Sequence, residues 1–219
     1  MPKRIFLVHA YLASMAPIDR AFKAAWPQAQ TLNLVDESLY ADVPADGALS
    51  PALHQRVESL LRHCELSGAD GVVFTGTTFG PAVELVRAQM KIPVLKADEA
   101  MAERVVELGG RTLLACTQQR AMRVVRAGLD AAAARAGVTL RIDELWVTDA
   151  KDATTAGRPE QHDRLIAEQV AAAAKDFDVI VLGQISMMPA LSLLPPDLAG
   201  RTVTSPDAAV ARMRVLLER

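Results

Sequence analysis

Two kinds of segment alternate along this chain. Short apolar runs closed by glycine or polar residues are typical of strands buried in a parallel sheet. They predict strands at residues 5–8, 31–34, 71–75, 94–95, 112–116, 140–145, 179–182 and 202–203. Longer segments with apolar residues at helical spacing predict helices at residues 51–67, 81–90, 99–108, 119–136, 160–175 and 207–217. This alternation of strand and helix predicts an α/β fold.

Two predicted helices begin with recognisable N-terminal capping signals. Ser50 precedes Pro51, and Ser205 precedes Pro206, so each pair offers a capping hydroxyl before a proline that suits a first helical turn. We therefore predict that both serines cap the helices that follow them.

Three segments occur twice in the same order. DGVVFTGTTFGPAV at residues 70–83 corresponds to DVIVLGQISMMPAL at residues 178–191. KRIFLVHA corresponds to GRTLLACT, and VLKADEAM corresponds to VTSPDAAV. Corresponding segments are separated by about 108 residues in each case, which indicates an internal duplication. We predict two pseudo-symmetric, doubly wound lobes, residues 1–97 with 205–219 and residues 98–204, whose equivalent strand ends face each other across an active-site cleft.

Composition narrows the function classes. Charged residues interrupt every segment of the 219-residue chain before about 18 apolar residues accumulate, so no membrane span is expected. A net charge of −2 without a basic run argues against nucleic-acid binding. Cys64 and Cys116 lie in different segments without metal-ligand spacing, so neither a disulfide framework nor a metal site is expected. These features favour a cytoplasmic protein.

The strongest candidate site is Gly76-Thr77-Thr78. In open α/β sheets, ligands bind beyond the carboxyl ends of the strands, and this triplet lies between a predicted strand and a helix beginning near Pro81. Two hydroxyls and the backbone N–H groups at a helix start suit a carboxylate or an enolate oxygen. Alternatively, the hydroxyls only cap their own helix. The polar repeat partner, Gln184-Ile185-Ser186, favours a function.

Four segments resemble one family. FTGTTFGPAVE (74–84), IPVLKADEAM (92–101), VLGQISMMPA (181–190) and VTSPDAAV (203–210) resemble the aspartate/glutamate/hydantoin racemase superfamily, which also includes arylmalonate decarboxylase. The resemblance runs over most of the chain. It implies a cytoplasmic, homodimeric, cofactor-independent enzyme that acts at the α-carbon of a small carboxylate or amino-acid-like ligand. It also places the two catalytic cysteines of the racemases, one in each lobe, at Gly76 and Gln184.

Neither position is a cysteine, so two-thiol racemisation does not carry over. Glycine followed by two hydroxyl residues is similar to arylmalonate decarboxylase, where the corresponding residues hold the carboxylate and the developing enediolate. That similarity implies substrate contacts from one set of residues: Thr77, Thr78, Thr117, Gln119, Ile185 and Ser186. The decarboxylase keeps the second cysteine, whereas the amide of Gln184 donates and accepts hydrogen bonds but is no useful acid or base near neutral pH.

Other groups for proton transfer are few. His9 ends the first predicted strand and has Cys116 as its repeat partner, so the two side chains are candidates for a thiolate–imidazole pair. In the alternative, Cys116 is a small buried apolar residue and His9 a hydrogen-bonded rim residue. Lys96 ends another strand and either balances a carboxylate or is a surface charge.

Two hypotheses remain open at the level of sequence. In the first, the protein is a racemase- or decarboxylase-type enzyme with a divergent proton donor. In the second, it is a non-catalytic relative that binds a small carboxylate. The absent acid and base favour the second hypothesis, whereas the polar loops and the enzymatic character of the family favour the first.

Overall fold

Two compact units make up the chain. The computed structural model describes residues 2–44 and 47–218. One unit contains the chain up to Ala100 together with the segment from Ala209 onward, and the other contains Met101–Ala208. Each unit has its own four-stranded parallel sheet with helices, which confirms the predicted α/β class with two similar lobes.

The sheet of the first unit has the order β2-β1-β3-β4, with all neighbours parallel. Its strands are β1 (Arg4–His9), β2 (Gln30–Val35), β3 (Gly71–Phe74) and β4 (Val94–Lys96). Every residue of β3 is buried, whereas the edge strand β2 is partly exposed. The short apolar run predicted at residues 71–75 is therefore an inner strand covered on both faces.

The sheet of the second unit repeats this arrangement in the order β6-β5-β7-β8. Its strands are β5 (Arg111–Cys116), β6 (Arg141–Trp146), β7 (Val179–Leu182) and β8 (Thr202–Thr204). Again the inner strand β7 is buried throughout and the edge strand β6 is partly exposed. All eight predicted strands are confirmed in the described residues.

Helices connect the strands. The α-helices are α1 (Met15–Ala25), α2 (Ser38–Ala41), α3 (Pro51–Leu66), α4 (Gly80–Arg87), α5 (Ala97–Leu108), α6 (Gln119–Ala136), α7 (Thr148–Thr155), α8 (Pro159–Ala173), α9 (Pro196–Gly200) and α10 (Ser205–Leu217). Short 3₁₀ helices cover Leu12–Ser14, Thr77–Phe79, Ala174–Asp176 and Ile185–Leu193. Among the described helices, none combines the length and the apolar character that crossing a membrane requires.

The six predicted helices are confirmed, with ends that move by a few residues, but α1, α2, α7 and α9 were not predicted. In α1, the buried residues Ile18, Ala21 and Phe22 have the i, i+3, i+4 spacing of an amphipathic helix, so its signal was present in the sequence. α2 has only four residues, too few to show any period.

Each unit has its own hydrophobic core. In the first unit, Val57 and Leu61 of α3 pack with Phe74 at the end of β3 and with Phe79 beyond it. In the second unit, Ile166 of α8 belongs to the cluster beneath β5 and β7. These clusters therefore join the sheets to helices that precede the inner strands β3 and β7 in the chain.

The duplication is visible in backbone geometry. Ile5 of β1 pairs with Gly71 of β3, and Thr112 of β5 pairs with Val179 of β7. In both units, an aspartate before the inner strand accepts a hydrogen bond of 2.7 Å from the backbone N–H at the start of the neighbouring strand. The two bonds are Arg4 N–H to Asp70 Oδ2 and Arg111 N–H to Asp178 Oδ2. Equivalent side chains thus fix equivalent strand starts.

The two predicted caps had different outcomes. Ser50 Oγ accepts from the N–H of Leu53 at 3.3 Å, which confirms the first cap. Ser205 is instead the first residue of α10, and the hydroxyl of Thr204 accepts from the N–H of Asp207. The prediction for Ser205 was wrong because the helix begins one residue earlier than its proline suggests.

We expect Asp70→Ala to lower the free energy of unfolding by about 1–2 kcal/mol, because a partly buried N–H at the start of β1 loses a charged acceptor. Asp143→Ala is the matched control, since it removes an exposed ion pair with Arg111 and costs at most about 1 kcal/mol. Chemical denaturation measures both values. Equal values for the two variants would show that the Asp70 bond does not fix the strand.

Candidate functional site

The loops after β1, β2 and β3 leave the first sheet at one edge. His9 pairs with Val35 and Val8 pairs with Phe74, so these strands end at nearly the same level. The segments that follow contain Tyr11, Tyr40 and the triplet Gly76-Thr77-Thr78. The sheet therefore brings together residues that are far apart in the sequence.

The turn Thr77–Phe79 is a 3₁₀ helix that leads directly into α4. The N–H of Phe79 donates to Gly76 O, and the N–H of Gly80 donates to Thr77 O. Among the described residues, no group accepts from the N–H of Thr77 or Thr78, which lie at the start of the turn. Of the backbone N–H groups expected to bind an anion, those of Thr77 and Thr78 are therefore available, whereas that of Phe79 already has an acceptor.

The two threonine hydroxyls also differ. Both side chains are half-buried. Thr78 Oγ1 lies 3.3 Å from the phenol oxygen of Tyr40, whereas the hydroxyl of Thr77 has no partner in the described part of the chain. Neither hydroxyl caps its own helix, because no side-chain cap bond forms at the start of the turn or of α4. The capping alternative for this triplet therefore has no contact to support it.

Gly76 has no room for a side chain. A Cβ at this position would lie 2.9 Å from Phe74 Cε1 and 3.1 Å from Phe79 Cδ2, and both of these rings are buried. The backbone, with φ −90° and ψ 88°, does not itself require glycine. Aromatic packing, and not backbone conformation, therefore disfavours a cysteine here, because the rings would have to move.

Gln184 is held in one orientation. Its Oε1 accepts from the N–H of Thr117 at 2.7 Å and from the Thr117 hydroxyl at 3.0 Å. A backbone N–H only donates, so the oxygen of the amide must face Thr117, and the NH₂ group points away from it. Nε2 has no partner among the described residues. At this position the second unit thus offers hydrogen-bond donors and no ionisable group.

The remaining predicted residues of the second unit have different exposure. Thr117 is buried, and its backbone N–H and its hydroxyl both donate to Gln184. Thr117 therefore orients the Gln184 amide. Gln119 begins α6 and is exposed. Ile185 is half-buried and Ser186 is exposed, both at the start of a 3₁₀ helix.

His9 is fully buried in a hydrogen-bonded cluster of the first unit. Nε2 lies 2.8 Å from Asn33 Oδ1, and Nδ1 lies 2.9 Å from the hydroxyl oxygens of Ser14 and Thr75. The Asn33 amide NH₂ donates to Asp19, so its oxygen faces the ring and Nε2 carries the proton. Burial lowers the pKa of His9, although the bond to Asn33 opposes this. His9 is therefore a neutral internal residue and not a residue of the rim.

The two cysteines of the chain are both fully buried. Burial raises the pKa of the Cys116 thiol to about 12, and that of Cys64 to about 12 as well. Gly183 also lies against Cys116, since a Cβ there would overlap Sγ. This environment disfavours the thiolate, so Cys116 fits the alternative of a small buried apolar residue better than a thiolate–imidazole pair.

Lys96 pairs with Glu84, with 2.6 Å between Nζ and Oε1. Its charge is therefore already matched within the first unit. No group of three or more His, Cys, Asp or Glu side chains suited to a metal ion occurs among the described residues.

Comparisons with known proteins agree with the sequence motifs. The family model described as Asp/Glu/Hydantoin racemase matches residues 10–213. A search of curated proteins finds no match. Allantoin racemase from Klebsiella pneumoniae aligns with a TM-score of 0.72 at 21% identity, covering 99% of this chain and 88% of that chain.

Two further solved structures have the same fold. Picrophilus torridus aspartate racemase aligns with a TM-score of 0.71 at 8% identity, covering 99% of this chain and 94% of that chain. Unliganded arylmalonate decarboxylase aligns with a TM-score of 0.61 at 19% identity, covering 98% and 93%. At such identities these similarities establish the fold alone.

We expect Gly76→Ala to destabilise the protein by about 1–3 kcal/mol, because the new methyl group overlaps two buried phenylalanine rings. Gly80→Ala is the control in the same loop, where the nearest side-chain atom to a Cβ, Lys96 Cδ, is 3.6 Å away. That change should be neutral or stabilising by up to about 1 kcal/mol. Thermal and chemical denaturation compare the two variants, and a Gly76→Ala protein as stable as wild type would contradict the packing argument.

We also expect both cysteines to resist thiol reagents in the native state at about pH 8, because a raised pKa keeps the thiol protonated until the pH approaches that pKa. Labelling with a chromogenic disulfide should begin only when guanidinium unfolds the protein. Rapid labelling of native protein would show that a thiolate is accessible.

Proposed function

This chain belongs to the Asp/Glu/hydantoin racemase family, and we propose that it binds a small carboxylic acid at Thr77 and Thr78 and acts at its α-carbon without a thiol. The observation that carries the proposal is a pair of N–H groups and a hydroxyl for which the described residues provide no partner, just beyond the end of the buried strand β3. Such donors stabilise a carboxylate and, more strongly, the charge that develops on an enolate oxygen.

Thiol chemistry does not fit the chain. Gly76 lacks space for a side chain, Gln184 carries a fixed amide, and both cysteines are buried with raised pKa values. We therefore propose one of two reactions at a group other than a thiol. In a decarboxylation, CO₂ leaves and that group protonates the resulting enolate; in a proton exchange, the same group removes the α-proton as a base and then returns a proton as an acid.

Asp98 is the proton donor that we propose. It lies in the first turn of α5, directly after β4, and Lys96 of β4 pairs with Phe74 of β3. The first turn of α5 therefore leaves the sheet at the same edge as the Gly76 triplet. Burial raises the pKa of Asp98, against the lowering effects of Lys96 and of hydrogen bonds from the backbone at Asp98 and Glu99, and this shift is in the direction that a proton donor requires.

A second candidate function is binding without catalysis. It is favoured by Gln184 at the position where the resemblance implies the second thiol, since an amide is no useful acid or base near neutral pH. The two candidates differ in one measurable property, namely whether the Cα–H bond of a bound acid exchanges with solvent or a carboxyl group is lost.

We expect wild-type protein in D₂O to exchange the α-proton of, or decarboxylate, at least one member of a panel of aspartate, glutamate, malonate and phenylmalonate, followed by NMR. Thr77→Val should reduce that turnover by roughly 100- to 1,000-fold, as loss of one donor to a developing oxyanion does. Asp98→Asn should abolish turnover while binding, measured by calorimetry, persists. Thr139→Val, a change in an exposed loop, is the control.

Each outcome separates the candidates. Binding without exchange or decarboxylation would favour the non-catalytic function. An absence of binding to every acid, or full activity of Thr77→Val, would contradict the site itself. Full activity of Asp98→Asn would contradict only the assignment of the proton donor.

A further inference from the structure

The imidazole ring of His9 connects several segments at the edge of the first sheet where the candidate site lies. His9 is the last residue of β1, and its Nε2 lies 2.8 Å from Asn33 Oδ1 on β2. Its Nδ1 lies 2.9 Å from the hydroxyl oxygens of Ser14 and Thr75. Ser14 directly precedes α1, and Thr75 directly follows β3. One buried side chain thus joins the ends of three strands and the loop after β1.

The neighbouring groups determine the direction of these hydrogen bonds. Nε2 of the ring carries the proton, because it faces the amide oxygen of Asn33, so Nδ1 only accepts. The Ser14 hydroxyl lies 2.7 Å from Tyr11 O, nearer than Nδ1, so its hydrogen is directed to that carbonyl. The Thr75 hydroxyl lies 2.9 Å from Nδ1, 3.0 Å from Ser14 Oγ and 3.3 Å from Val8 O. Nδ1 is therefore the nearest acceptor of the Thr75 hydroxyl.

Thr75 is bound to β1 twice, immediately before the site. Its backbone N–H donates to Val8 O at 3.0 Å, and its hydroxyl donates to His9. Only Gly76 lies between this anchor and Thr77, where the turn begins. A buried acceptor that holds Thr75 therefore limits the directions in which the N–H groups of the turn can point.

We propose that His9 is a positioning residue of the carboxylate site, because its Nδ1 holds the Thr75 hydroxyl and thereby orients the N–H groups of Thr77 and Thr78. This inference rests on the proposed binding of a carboxylate at these two threonines. His9 is fully buried, so it acts through Thr75 and not by touching the ligand. A ring that only filled space would need its volume, whereas a positioning ring needs its acceptor.

Two variants of His9 separate its two hydrogen bonds. Asparagine carries its amide oxygen at the same distance along the side chain as Nδ1, whereas glutamine carries its amide one carbon further out, at the level of Nε2. His9→Asn therefore keeps an acceptor for Thr75, and His9→Gln keeps a donor for Asn33 instead. We expect His9→Gln to weaken acetate binding roughly tenfold, and His9→Asn to stay within about twofold of wild type, in NMR titrations.

The other partner of the bond gives an independent test. Thr75→Val removes the hydroxyl at nearly constant shape and should weaken acetate binding roughly tenfold, whereas Thr75→Ser keeps the hydroxyl and should restore binding. Because His9→Gln and Thr75→Val remove the same hydrogen bond, the double variant should bind no more weakly than either single variant. Ser50→Ala is the structural control, since it removes a helix cap in the same unit and should leave the acetate affinity unchanged.

The backbone amide signals of Thr77 and Thr78 report the orientation of the turn directly. In isotope-labelled protein without ligand, His9→Gln and Thr75→Val should shift both signals, and Ser50→Ala should shift neither. Equal losses of affinity in His9→Asn and His9→Gln, or wild-type affinity in His9→Gln, would overturn this inference while acetate binding by the wild type upholds the carboxylate site.

The Thr75 variants decide the question alone if a His9 variant does not fold. Equal acetate affinity of Thr75→Val and wild type would then overturn the positioning role, and a loss that Thr75→Ser restores would uphold it. Failure of the wild type to bind acetate would overturn the carboxylate site, and this inference with it.

Discussion

The position of β3 between β1 and β4 is the constraint on which the candidate site depends. All four residues of β3 are buried, and Asp70 fixes the start of the strand against the start of β1. With both the register and the start fixed, the chain must leave β3 at the edge where β1 and β2 also end. The amides of Thr77 and Thr78, which have no acceptor in the described part of the chain, and the phenol of Tyr40 meet there as a consequence of strand pairing.

The sequence predicted the sheets well, because a strand buried on both faces must be almost entirely apolar, and such runs are easy to recognise. The duplication supported the prediction of two similar sheets, and Asp70 and Asp178, which correspond in the repeat, make equivalent hydrogen bonds to the backbone. The short helix α2 could not be predicted from the sequence. Ion pairs to Arg56 hold it from another helix, and no local pattern shows a contact of that kind.

The candidate site was predictable in its location and less so in its chemistry. Thr77 and Thr78 follow a buried strand, as their sequence position indicates, and their role as substrate donors stays a proposal. Residue type suggested a reactive pair at His9 and Cys116, but reactivity depends on burial and on hydrogen-bond partners. Those partners, Asn33 and Thr75 for His9, come from other strands or their ends, so only the folded structure identifies them.

The two positions that the family resemblance assigns to thiols differ from cysteine for separate physical reasons. Gly76 is enclosed by two phenylalanine rings, whereas Gln184 is held by two hydrogen bonds from Thr117. A cysteine at residue 76 would require those rings to move, and a cysteine at residue 184 would leave the buried hydroxyl of Thr117 without its acceptor. Each position is thus coupled to its own surroundings, residue 76 by aromatic packing and residue 184 by the hydrogen bonds from Thr117. A single change to cysteine at either position therefore also disturbs the contacts around it.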